Sequence, residues 1–139
     1  MKRRSQNMPA LGLKAYQEAL KTTTSGRNLE AAVLTKAARL LILCQEQWNE
    51  EGHFRRRDEA LTFNQKVWTI FQDELAQEDH PMPLELRANI LKLSLMVDKR
   101  IIEVMANDSS PDRLDLIINI NNNIAAGLRG SGALSPVRK

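Results

Sequence analysis

His53 and His80 are the side chains best suited to move protons near neutral pH or to hold a transition metal, and both stand beside acids, as Glu51-Gly52-His53 and Glu78-Asp79-His80. A helical metal site needs a second ligand one turn away, and neither histidine has one at i+4. Both therefore read as solvated loop histidines. Cys44 is the only cysteine, which excludes an intramolecular disulfide and a thiolate zinc cluster. It ends the apolar run Leu40-Leu41-Ile42-Leu43-Cys44, where it reads as a small buried hydrophobe. There is no Gly-rich phosphate loop, nucleophile elbow or metal-ligand spacing, so the expectation is a protein that is not an enzyme and uses no cofactor or metal.

Arg55, Arg56 and Arg57 form the densest run of charge. Three cations at the start of a helix oppose its dipole, so the simplest reading starts the helix after them and leaves them solvated; the alternative is contact with an acidic partner or RNA. The net charge of +3 does not favour nucleic acid by itself. Lys2, Arg3, Arg4, Arg129, Arg138 and Lys139 lie in the flanks, and residues 13–128 hold 14 Lys and Arg against all 17 acids, a net of −3. Phosphate binding draws on positive charge on a folded face, and the central region has no surplus.

Two amides break otherwise apolar stripes. Leu61, Asn64, Trp68, Phe71 and Leu75 step by 3, 4, 3 and 4, and so do Leu114, Ile117, Asn121, Ile124 and Leu128. A buried amide needs partners for its hydrogen bonds. Asn64 and Asn121 are expected to bond each other across two helices, to cap backbone groups, or to line a client site, with Trp68 and Asn119 beside them.

The elements that position these residues are helical. A chain of 139 residues suffices for one domain with a real core, and with only six aromatic residues that core must be built from Leu, Ile, Val, Ala and Met. The pattern predicts a short helix over Leu13–Lys21, broken by the Thr-Thr-Thr-Ser-Gly that follows, and a second over Arg27–Asn49, with Gly52 as a left-handed cap after it. A third is expected from Arg57 to Gln77, stopped by His80-Pro81-Met82-Pro83, and a fourth from Leu84 to Ala106. The last spans Asp112–Leu128 behind Ser110-Pro111, with Ser110 as its cap. Ile117 to Asn121 alternates like a strand, but a lone strand would have no partner among helices.

The fourth helix carries two apolar stripes. Leu86, Ile90, Leu93, Val97 and Val104 form one, and Leu84, Leu91, Leu95, Ile102 and Met105 form another. That width exceeds what one face of a peripheral bundle helix needs, so the second stripe is a candidate groove for a partner helix or a homodimer seam. The expected fold is all-α: a single-domain antiparallel helical bundle of four main helices plus a short N-terminal helix. It spans residues 13–128, between a flexible basic arm, 1–12, and a flexible basic tail, 129–139. No signal-peptide core and no membrane-length apolar run occurs, so a cytoplasmic protein without membrane insertion is expected.

Ala15-Tyr16-Gln17, the Thr22 to Ser25 turn, Arg27-Asn28-Leu29-Glu30, Leu61 with Asn64, Lys66, Trp68 and Phe71, Pro83, Leu86-Arg87, Ile90, Leu93-Ser94, Ile118-Asn119-Ile120-Asn121 and Ile124-Ala125-Ala126-Gly127-Leu128 together resemble the FlaF family of flagellar biosynthesis regulators. The order and spacing of these segments carry the resemblance, from about Ala15 to Arg129. The arm before Leu13 is longer than members usually show, which makes Met8 a second candidate start beside Met1. The resemblance implies a non-enzymatic helper of flagellum assembly that binds flagellin, promotes its synthesis and secretion in the manner of a chaperone, and acts opposite the regulator FlbT. The apolar stripe, with Tyr16, would then hold amphipathic flagellin helices. The competing expectation is a regulator of flagellin mRNA, alone or with FlbT, touching RNA through Arg55, Arg56 and Arg57.

Overall fold

The computed structural model describes residues 24–107 and 110–130, and all its elements are helical. The expected N-terminal helix, the basic arm with Tyr16, and the tail beyond Gly130 lie outside the described residues. Helix α1 spans Thr24–Glu46, α2 His53–Leu75, α3 Leu84–Ala106 and α4 Asp115–Arg129, with a 3-10 turn at Pro111–Leu114 leading into α4. The first three have 23 residues each. At 1.5 Å per residue they are about 34 Å long, matched as an up-and-down bundle requires.

Side-chain bonds fix the direction of each neighbour. Arg87, at the start of α3, donates to the Leu75 carbonyl at the end of α2. The end of α4 is tied to the middle of α1 by Arg129, which donates to Thr35 Oγ1 at 2.8 Å, and the start of α4 meets the end of α1, where Gln45 reaches Asp115 at 2.8 Å. The four helices thus form a ring in which each packs antiparallel on the next, and α1 and α4 make the most extensive seam. Small residues explain that closeness: Ala31, Ala37 and Ala38 on α1 and Ala125 and Gly127 on α4 are buried. The core between the helices contains Leu34, Leu41, Leu61, Trp68, Val97, Ile101 and Ile117, all fully enclosed. Each such side chain contributes about 1.5–3 kcal/mol by leaving water.

Several boundaries differ from expectation, for identifiable reasons. Helix α1 ends at Glu46, three residues early, and α2 begins at His53, four residues before Arg57. Gly52 is left-handed, φ 85°, but it immediately precedes α2 instead of closing α1. Arg56 donates from its guanidinium to the carbonyls of Gln47 at 2.9 Å, Glu50 at 3.3 Å and Glu51 at 3.2 Å. These backbone acceptors offset the unfavourable position of a cation in the first turn of α2. Ser110 precedes the 3-10 turn, yet its hydroxyl bonds the Asp112 carboxylate and caps no backbone amide. Arg129, expected in the tail, is the last residue of α4.

Candidate functional site

The two stripe-breaking amides meet inside the bundle. Trp68 Nε1 donates to Asn121 Oδ1 at 2.8 Å, Asn121 Nδ2 donates to Asn64 Oδ1 at 2.7 Å, and Asn64 Nδ2 donates to the carbonyls of Ala37 at 3.0 Å and Ala60 at 2.9 Å. All three side chains are fully buried. An indole N–H can only donate, so Asn121 must turn its oxygen to Trp68 and its nitrogen to Asn64, and Asn64 must then aim its nitrogen at the carbonyls. The chain has one polarity and joins α2 to α4 and to the backbone of α1. Asn119 takes no part: two residues from Asn121 along a helix, it falls on the far side and is exposed. The interior network holds three residues of the expected four, and none of them faces water.

Helix α3 presents the reverse situation. Its first stripe faces the bundle, with Ile90, Val97 and Val104 buried, joined by Ile101. Its second faces outward: Leu84 is 72% exposed, Leu95 65%, Ile102 64% and Met105 37%, while Leu91 is half-buried against the core. Side chains that far out of the helix make a ridge, not the groove the sequence suggested. Met96, at 46%, is also exposed but lies about 100° further around the helix, beyond Lys92 and Lys99, and belongs to neither stripe. Large apolar side chains clustered along one helix are the usual mark of a docking surface. Polar bonds anchor the helix beneath the ridge. Gln72 Nε2 of α2 donates to Ser94 at 3.0 Å and to Asp98 at 2.9 Å, and Arg100 donates to the Arg113 carbonyl at 2.9 Å.

The three arginines do not form one patch. Arg55 is exposed and pairs with Glu59 at 3.4 Å. Arg56 is engaged with the turn carbonyls. Arg57 is buried, bonded to Asp58 at 2.8 Å and lying 5.1 Å from the Phe54 ring centroid. The surface around Arg55 also carries Asp58, Glu59 and Lys66, so its charge alternates in sign.

Neither histidine is a solvated loop residue. His53 is half-buried, with its ring centroid 4.1 Å from that of Trp48. His80 is buried, and its Nδ1 accepts the Met82 amide at 3.1 Å. Burial first, then the Arg87 charge, with Arg27 adding a little, hold its pKa below the ordinary histidine value; Asp79 opposes them. Arg87 braces the same turn, donating to the carbonyls of Met82, Leu75 and Gln77 at 3.1, 3.2 and 2.6 Å. A sequence signal for this turn exists in Pro81-Met82-Pro83, where an apolar residue between two prolines is drawn into the core and carries His80 with it. Cys44 is buried, as its apolar run implied. Among the described residues no cluster of His, Cys, Asp and Glu could hold a metal, and no helix is long and apolar enough to cross a membrane.

An antiparallel four-helix bundle with a closed polar chain in its interior and, among the described residues, an exposed apolar ridge on α3 defines the class: a helical-bundle protein. Residues 13–128 match the family described as flagellar protein FlaF, and the chain belongs to that family. No curated protein and no solved structure matches it.

Proposed function

We propose that this flagellar protein binds flagellin and promotes its synthesis and secretion as a chaperone-like adaptor in the cytoplasm, seating an amphipathic flagellin helix against the α3 ridge. The observation that carries this reading is the exposure of Leu84, Leu95 and Ile102 on a helix whose opposite face is already packed. A surface of that kind offers an amphipathic helix apolar contact at the spacing its own stripe has. FlbT is the second partner this reading allows. Direct contact with flagellin mRNA draws less support, because Arg56 and Arg57 are engaged within the protein and the surface beside Arg55 is mixed in charge.

The test is to titrate the protein with flagellin and with its transcript separately across a salt series. Helix packing predicts flagellin binding that changes little with salt and has a negative heat-capacity change. Transcript binding that falls tens-fold between low and physiological salt, with no affinity for flagellin, would reverse the assignment.

A further inference from the structure

The ridge has a regular rhythm. Leu84, Ala88, Leu91, Leu95, Asp98 and Ile102 step by 4, 3, 4, 3 and 4, the seam of a helix that meets one other helix along most of its length. Asp98 is the only charged residue in that series. Glu85, Lys92 and Lys99, all exposed, line one flank of the seam at seven-residue intervals. The other flank holds Arg87, Ser94 and Ile101, buried within the bundle.

We propose that a second copy of this chain covers the ridge in the resting protein, with α3 lying antiparallel on α3 of the other copy. One register satisfies the seam. It sets Leu84 opposite Ile102, Ala88 opposite Asp98 and Leu91 opposite Leu95 of the second copy, and two-fold symmetry repeats each pairing. The seam's one carboxylate then meets its smallest side chain, which leaves Asp98 room to keep its bond from Gln72 Nε2 at 2.9 Å. On the flank Glu85 faces Lys99 of the second copy, twice, while Lys92 meets its own counterpart near the axis.

The alternatives are worse. Sliding the pair one heptad toward the C-terminal ends sets Asp98 against Leu95 and Lys92 against Lys99. Sliding it the other way keeps an opposite-charge pair, Glu85 with Lys92, but shortens the overlap to residues 84–95 and leaves Ile102 uncovered. A parallel pairing stacks Asp98 on Asp98. Unlike charges opposite one another choose register more than they add affinity. The contact is a single helix pair on each copy, far smaller than an obligate interface, so its dissociation constant is on the order of micromolar. Dimerisation of that strength masks the surface to which flagellin binding was assigned, and only the masking, not the dimer, rests on that assignment: a client helix displaces the second copy.

Sedimentation of the full chain over a micromolar concentration range tests this. The wild-type protein is expected to pass from monomer to dimer. Glu85→Lys, which turns both opposite-charge pairs into like-charge pairs, weakens the dimer about ten-fold. Combining it with Lys99→Glu restores the dimer, and Lys92→Ala tightens it. Circular dichroism confirms that each variant is folded. A folded wild-type protein that stays monomeric throughout overturns the proposal, whether the ridge is bare or residues 1–23 lie across it. A dimer indifferent to Glu85→Lys overturns it as well, since another face must then hold it. Flagellin titration of the Glu85→Lys monomer reads the client assignment separately: binding there without a wild-type dimer removes only the dimer, and a wild-type dimer without binding there removes only the client.

Discussion

The amide chain inside the bundle and the ridge on α3 depart in opposite directions from the rule that polar groups face water and apolar groups avoid it. Asn64, Asn121 and Trp68 are polar and fully buried, yet each finds its partner within the chain. Leu84, Leu95 and Ile102 are apolar and exposed, and the described residues leave them open to solvent. An interior exception must be closed by the protein itself, because an orphaned buried polar group costs about 1–3 kcal/mol. A surface exception can be left for another molecule to close. The location of each anomaly therefore separates the role proposed for it: register between helices for the amides, and binding for the ridge.

That separation can be broken at either end. The largest effect on stability is expected from Asn121→Ala, which strands the Trp68 N–H and the Asn64 oxygen and should lower the unfolding free energy by about 3 kcal/mol, read from urea denaturation. Asn64→Leu combined with Asn121→Leu should cost less than the sum of the two single changes, because the first removes the partner that the second would orphan. A simple sum would mean the two amides do not act together.

Arg87→Ala should cost about 2 kcal/mol by releasing the carbonyls that hold the turn between α2 and α3. The same turn carries the pH response. His80 has a depressed pKa in the fold, so its contribution is fully present above the ordinary value of about 6.5 and is lost as pH falls toward the depressed one. Denaturation midpoints should therefore drop between pH 7.5 and pH 5. His80→Asn, which keeps an acceptor for the Met82 amide, should flatten that drop. An unchanged slope would place the acid sensitivity elsewhere.

The smallest stability change should come from the ridge. At protein concentrations well below the micromolar range, where the chain is monomeric, Leu95→Asp and Ile102→Asp are expected to shift the unfolding free energy by no more than about 0.5 kcal/mol each. A loss comparable to that of Asn121→Ala would mean that the ridge is packed within the chain and that the comparison fails.

The four main helices were legible because apolar residues at steps of 3 and 4 recur along each of them, and the shared rhythm of Asn64 and Asn121 made their meeting one of the three readings the sequence left open, the others being backbone capping and a client site. Trp68 could be placed on the stripe, but not as the donor that orients both amides, since spacing carries no hydrogen-bond direction. Asn119 was grouped with Asn121 by nearness in sequence, which a helix turns into opposite faces. The second stripe of α3 was visible as an excess of apolar residues; whether it forms a groove or a ridge depends on neighbouring helices. His80 and Arg56 escaped the reading of motifs because both serve turns: one follows Met82 into the core, and the other reaches back to carbonyls up to nine residues earlier.

The most direct measurement is calorimetric titration of flagellin into the wild-type protein and into the Leu95→Asp, Ile102→Asp double variant, with circular dichroism and urea denaturation confirming that both are folded. Binding by the wild type and a loss of at least about ten-fold in the double variant, at nearly unchanged stability, is the predicted result. A folded double variant that binds flagellin as tightly as the wild type would contradict the assignment of the α3 ridge.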